Sequence, residues 1–415
     1  MMKIKAIFTL VFLALVLVGI QPSYADDAVV GDGTPESCSE AALDDAVLLT
    51  AVSNGGAITF NCGPGQLMMI ITSVKALTNG TTIDGGGLIT LSGNDAVPIF
   101  QVSGTVVIDN IVLTHGYGYG GGAIEVNADA NLTMTNSQIT FNTAESSGGG
   151  MLISSGASVT LNNVTLADNV APFGGGIRNA SELYLNDVTL LQNYSSYGGG
   201  GLYNDSVAIL NNVTLARNSS DNGGGIMNAA GSTVTLNNVT VSANVANSGG
   251  GVFNNGTALL TNVTLTENSA AGGGGGGILH NNGGGAYLQM TNAILVNNVA
   301  AVVGTEQCLL YQTSDIIYSL WAGTSCGDST ADGNQPNTDM ALAPLDFTGT
   351  GLLTELTMTH ALLPGSPAQD TGTCSFGAPG SDQRGVLRPQ GAGCDMGAVE
   401  HDVLTWYVYL PMVIR

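Results

Sequence analysis

Leu161-Asn162-Asn163-Val164-Thr165-Leu166-Ala167-Asp168-Asn169 alternates apolar with polar residues, but the alternation changes phase at Asn163. Leu161 and Val164 read as one face, Asn162 and Thr165 as the other. In an extended strand successive side chains point to opposite faces, so residues three apart cannot share one. A corner at Asn163 removes the conflict, because Asn enters the left-handed backbone region more readily than most residues. The segment therefore reads as two short strands hinged at Asn163.

The pattern recurs with its central position at Asn110, Asn136, Asn163, Asp187, Asn212, Asn238, Asn262 and Asn292, at intervals of 26, 27, 24, 25, 26, 24 and 30 residues. Extra glycines in residues 272–277 and 283–285 lengthen the last interval. Two positions before each mark stands a large apolar residue, from Ile108 and Met134 through Leu185 to Met290. Three positions after it stands another, from Leu113 and Ile139 to Leu295. Thr165, Thr189, Thr214, Thr240 and Thr264 form an outward column. Six residues past the marks lies a second Asn column: Asn142, Asn169, Asn193, Asn218, Asn244, Asn268 and Asn298. Stacked amides of this kind can hydrogen-bond from repeat to repeat as a structural ladder. Glycine runs follow, as at residues 174–176 and 198–201, and permit corners with positive φ. A third short strand then ends in another Asn: Asn179, Asn204, Asn228 and Asn254.

A repeat near 25 residues that cannot bury its apolar face alone predicts a stacked solenoid. Three short strands per coil make it an all-β, right-handed parallel β-helix, the hand following from the bias of parallel crossovers. Eight marked coils span roughly 38 Å at one strand spacing each. The expected organisation is a signal peptide at residues 1–25, an N-terminal cap and first coils at 26–80, repeats at 81–300, a β-rich C-terminal region at 301–402 and an apolar tail at 403–415.

Composition narrows the function. The leader has Lys3 and Lys5, an apolar run from Ala6 to Ile20 and small residues around Ala25, which predicts secretion or display at a cell surface. No later segment is apolar enough to span a membrane as a helix. The chain has 31 acidic and 8 basic residues and a formal charge of −23, or −25 without the leader's two lysines. Without clustered Lys and Arg, nucleic acid is excluded as a partner. A cell-surface glycan or a protein remains as partner. No cofactor is expected, although the acidic surface leaves room for Ca²⁺. All six cysteines follow the leader as three local pairs, Cys38 with Cys62, Cys308 with Cys326 and Cys374 with Cys394. Disulfides between nearest neighbours are expected among the about 15 connectivities that six cysteines allow. No Cys-x-x-Cys metal spacing occurs.

Two resemblances add to this reading. Gly175-Gly176-Ile177 with Leu166-Ala167-Asp168-Asn169 resembles the repeats of chlamydial polymorphic outer-membrane proteins and of pectin-lyase-like β-helix proteins, over residues 81–300. Toward the C-terminus, His360-Ala361-Leu362-Leu363-Pro364-Gly365-Ser366-Pro367-Ala368, Asp382-Gln383-Arg384-Gly385, Arg388-Pro389 and Cys394-Asp395-Met396-Gly397-Ala398-Val399-Glu400 resemble the choice-of-anchor Q family, with Gln369 in place of its usual Ile. That resemblance implies a surface β-helix protein with a variable anchoring tail and no catalytic residues. Cys38-Ser39-Glu40-Ala41-Ala42-Leu43 looks like the cap of similar proteins.

Catalytic chemistry finds little support. A polysaccharide lyase or glycoside hydrolase of this fold is the alternative to a binding or display protein. A lyase base could only be Arg178, beside Glu182, or Arg217 among the repeats. A glycosidase needs two positioned carboxylates. Asp84, Asp95, Asp109, Glu125, Asp129, Asp168, Asp187 and Asp205 are the candidates, and no two are expected in one column on neighbouring coils. His115 and His280 read as isolated. Tyr117 and Tyr119, and Tyr194 and Tyr197, border glycine runs and could stack on sugars or cover corners. No catalytic or metal residue is assigned, and the ligand-binding residues stay open.

Overall fold

The marked residues are corners. Asn110, Asn136, Asn163, Asp187, Asn212, Asn238, Asn262 and Asn292 all have φ between 48° and 56°, inside otherwise extended chain. The computed structural model describes residues 25–281, 285–312, 314–347, 357–375 and 379–401. The expected leader up to residue 24 and the tail at 403–415 lie outside the described residues.

Each coil makes three sides. In one of them, Ser158–Ala167 runs through the Asn163 corner, Val170–Phe173 forms the second side and Ile177–Asn179 the third. Coils stack in parallel register: Leu161 pairs with Leu185, Val170 with Tyr194 and Ile177 with Leu202. The result is three sheets of 17, 8 and 10 strands in a β-solenoid of about 11 turns, nearly all-β with 5% helix. The apolar columns fill its interior. Ile108, Met134, Leu161, Leu185, Leu210, Leu236, Leu260 and Met290 are at most 1% exposed and belong to one continuous core. Burying each such side chain contributes about 1.5–3 kcal/mol.

Glycines between the second and third sides serve three distinct needs. Gly174 has φ 64°. A Cβ on Gly175 would lie 2.4 Å from the Tyr194 carbonyl oxygen. A Cβ on Gly176 would lie 2.6 Å from the Gly201 carbonyl oxygen and 3.1 Å from Leu190. A strand-to-strand corner this tight leaves no room for side chains in the stack.

The helix Glu40–Val52 packs on the leading coils, with Leu43 and Ala46 buried. Ser39 caps it by accepting from the Ala42 N–H at 3.3 Å. Cys38–Cys62 ties its start to the chain just after the strand Gly56–Phe60. Lys75, 1% exposed, lies between Glu40 and Asp44 at 2.6 Å from each. Cys308–Cys326 and Cys374–Cys394 complete the nearest-neighbour disulfides.

The C-terminal region folds back along the solenoid and covers the first sheet. The expectation of an outward threonine column needs correcting here. Thr165 is half-buried, but Thr189, Thr214, Thr240 and Thr264 are at most 3% exposed. Thr214, Thr240 and Thr264 leave the coil interior only to meet residues far ahead in the chain. The Thr214 hydroxyl donates to the Met358 carbonyl at 2.7 Å, and Thr240 to Gln383 Oε1 at 2.7 Å. The Ala398 N–H donates to Thr264 Oγ1 at 3.0 Å. Ile294, Val296 and Leu320 pack there with Met340, Leu362, Ala368 and Met396 in a second apolar cluster.

Candidate functional site

The second Asn column closes as a ladder. Each amide nitrogen from Asn142 to Asn268 donates to the Oδ1 of the next column member at 2.9–3.0 Å. Asn298 donates to Gln307 Oε1 at 2.7 Å. Every member is at most 4% exposed. The third column does likewise through Asn179, Asn204, Asn228 and Asn254. Its last rung is His280: Asn254 Nδ2 donates to His280 Nδ1 at 3.0 Å. His280 is thus not an isolated insertion residue but fully buried, and desolvation pushes its imidazolium below the usual range. These amides are committed to the fold and offer nothing to a ligand.

Most catalytic candidates are scattered. Asp95 and Asp129 are exposed turn residues with φ of 54° and 61°. Asp168 is a half-buried corner residue whose carboxyl burial pushes up. Asp187 accepts from Asn212 Nδ2 at 3.0 Å. His115 is exposed, stacks on Phe141 at 5.7 Å and sits beside the Thr114 hydroxyl at 2.9 Å. Arg217 is exposed at a corner with φ 54°.

Two pairings depart from expectation. Asp84 and Asp109 do share one column, as direct partners on adjacent strands. Asn110 Nδ2 bridges them, at 3.1 Å from Asp84 Oδ1 and 2.9 Å from Asp109 Oδ2, and Asn136 Nδ2 donates to Asp109 Oδ1 at 3.2 Å. Arg178 pairs with Asp205 on the following coil and not with Glu182. Its guanidinium also lies 4.4 Å from the centre of the Tyr203 ring, a cation–π arrangement.

His360 and Ser242 have the hydrogen-bond order of a base and a nucleophile. His360 Nδ1–H donates to the Ala343 carbonyl at 2.7 Å, leaving Nε2 to accept from the Ser242 hydroxyl at 2.8 Å. Both residues are at most 1% exposed, so this contact fastens the C-terminal region to the solenoid and cannot reach a substrate. The other residues of the C-terminal motif act likewise. Arg388 and Glu400, each 1% exposed at the side chain, pair at 2.7 Å. Arg388 also donates to the carbonyls of Asp395 and Gly397, while Asp382 accepts from the Arg384 side chain and the Glu400 N–H.

The accessible feature with mixed chemistry is the corner between the second and third sheets. A cavity of about 420 Å³ there is lined by Pro98, Tyr117, Tyr119, Glu125, Ser146 and Leu152, with Gly118 and Gly120 between the tyrosines. Tyr119 is 78% exposed. The Tyr117 hydroxyl donates to Glu145 Oε1 at 2.6 Å, and this bond pushes the phenol's pKa up. Glu125 is half-buried, and desolvation pushes its carboxyl up. It stands in register with Leu152, Arg178 and Tyr203 on successive coils. Farther along the same corner, Phe173 stacks on Tyr197 at 5.1 Å and meets Tyr203 edge-on at 5.5 Å. Tyr194 is also exposed, at the start of its strand. The tyrosines were visible in the sequence, but Phe173, Tyr203 and Glu125 join them only through the stacking register.

Among the described residues no helix is long and apolar enough to cross a membrane, and no group of three metal-ligating side chains occurs. A family model, the DDB_G0287209 N-terminal domain, matches residues 40–249, from the cap helix to a glycine corner of the solenoid. No curated protein and no solved structure matches the chain.

Proposed function

The chain belongs to the DDB_G0287209 N-terminal domain family, and from that premise and the solenoid's corner chemistry we propose a secreted or cell-surface scaffold that binds glycan without transforming it. The observation that carries this reading is the set of aromatic side chains along one corner: Tyr119, then Phe173 two coils on and Tyr197 on the coil after that, with Tyr203 beside them. A pyranose ring presents a face of C–H groups that packs on an aromatic ring, and a rigid scaffold holds the rings in place at little entropic cost. Strong negative charge disfavours polyanionic glycans. The leader-like start, the three disulfides and the C-terminal likeness to choice-of-anchor Q proteins support surface attachment.

A second reading, a glycoside hydrolase or lyase, draws on Asp84 and Asp109 in one column. One screen separates the two. Mature protein is incubated with neutral and acidic polysaccharides, with and without Ca²⁺, and both retention and new chain ends are measured. Retention of neutral glycan that Tyr119→Ala weakens about tenfold, without product, is expected. Reproducible reducing ends or unsaturated product overturn the binding reading.

A further inference from the structure

We propose that the cavity under Tyr119 selects a glycan unit carrying a primary ammonium, so that the ligand is an amino-sugar chain lying along the corner. This rests on the glycan-binding reading above and names the ligand class. Glu125 is the residue that makes the cavity selective. It is half-buried in the lining, yet its carboxylate makes no hydrogen bond or ion pair with another residue. Apart from Ser146, the side chains that share the cavity with it are apolar or aromatic: Pro98, Leu152, Tyr117 and Tyr119. A carboxylate partly withdrawn from water without a partner is costly, and a cation that enters with its own apolar body relieves that cost.

The surroundings fit a sugar better than a free ammonium ion. Tyr119 offers an open aromatic face at the rim. Ser146 and the Tyr117–Glu145 pair offer polar partners for ring hydroxyls. The cation end and the stacking end are therefore both present within one cavity. The nearest guanidinium on that face, Arg178, is two coils from Glu125, about 10 Å at one strand spacing per coil. It is already engaged by Asp205 and Tyr203, so it does not compete for the carboxylate. Phe173 on Arg178's own coil and Tyr197 on the next one place further aromatic rings along the solenoid axis, two and three coils from Tyr119. A chain of linked rings can use that track, whereas a single lysine side chain cannot.

The test uses the full mature protein and two probes, glucosamine oligomers and their N-acetylated counterparts, titrated calorimetrically slightly below neutral pH. Glucosamine oligomers are expected to bind about tenfold more tightly, the scale of one charge-assisted hydrogen bond. Glu125→Gln should remove that preference while leaving the N-acetylated oligomer unchanged. Tyr119→Ala should weaken both, and added salt should weaken only the glucosamine oligomer. Equal affinity for both probes, or a preference that survives Glu125→Gln, overturns the amino-sugar assignment and leaves the glycan reading standing. Binding of neither probe overturns both.

Discussion

The leading and trailing coils of the solenoid are built from the same repeat and have different surfaces. At Gln138 the outward position after the corner is exposed; at Thr165 it is half-buried; at Thr214, three coils beyond Gln138, it is fully buried. Inside, nothing changes, since Met134 and Leu185 are equally sealed in one core. The interior of a coil is set by that coil and its two neighbours. Its exterior is set by whatever else the chain lays on it, here a region more than 140 residues away, since Thr214 meets Met358 across 144 positions.

If the interior is uniform, Met134→Asp in the leading coils and Leu185→Asp in the trailing coils should be equally damaging. Each places an unpaired carboxylate in the core and should cost at least about 3–5 kcal/mol, read as denaturant midpoints of the purified variants. A mild loss at either position would mean that the core is not continuous. The exterior should split the two regions. Thr214→Asp sets a carboxylate against the Met358 carbonyl and leaves Gln383 without its hydroxyl partner. It should cost about 1–3 kcal/mol and expose the C-terminal region to protease. Gln138→Asp, at the matching exposed position, should stay within about 0.5 kcal/mol. Equal effects would refute the covering of the trailing coils.

The column pattern fixed the corners, the core and the ladders in advance, because those features repeat and each repeat re-reports them. Other features escaped for physical reasons. A second set of left-handed residues precedes the ladder asparagines: Phe141, Asp168, Gln192, Arg217, Ala243, Glu267 and Asn297, with φ between 54° and 60°. Their identities share nothing, because the conformation is imposed by the following Asn amide and by parallel pairing. Burial of the threonines depended on contacts too distant for any local pattern. The Asp84–Asp109 register was hidden by Gly85, Gly86 and Gly87, which shift the strand pairing between Asp84 and Ile89. The site at the second corner was half legible: tyrosines beside glycines suggested it, but Glu125 entered only when coils were stacked.

The smallest predicted effect concerns the two ends. At the leading end, burial works against ionised Glu40, but Lys75 and the Thr72 N–H and hydroxyl hold its carboxyl at about 2, below the ordinary 4.5. A carboxyl depressed on folding stabilises fully above its unfolded value and loses that contribution as pH falls toward the folded one. The cap should therefore weaken between about pH 4.5 and 2, and Glu40→Gln should flatten that limb of the melting-temperature profile. At the trailing end the sign reverses: burial pushes the Glu400 carboxyl up, so its contribution declines as pH rises. An unchanged acid limb in Glu40→Gln would remove this distinction between the ends.

The buried amide ladder also sets the grammar by which such a chain can change length. Every rung hands its nitrogen to the next coil and takes an oxygen's worth of bonding from the one before, from Asn142 to Gln307. The corner asparagines hand theirs the opposite way, Asn238 to Asn212 and Asn262 to Asn238. Removing or duplicating one whole coil passes each rung to a chemically equivalent neighbour, and both directions survive. Removing part of a coil strands a buried donor on one side of the break and a buried acceptor on the other. A change of length that keeps every rung paired is therefore a change by a full turn, as beads on a string are added or dropped whole.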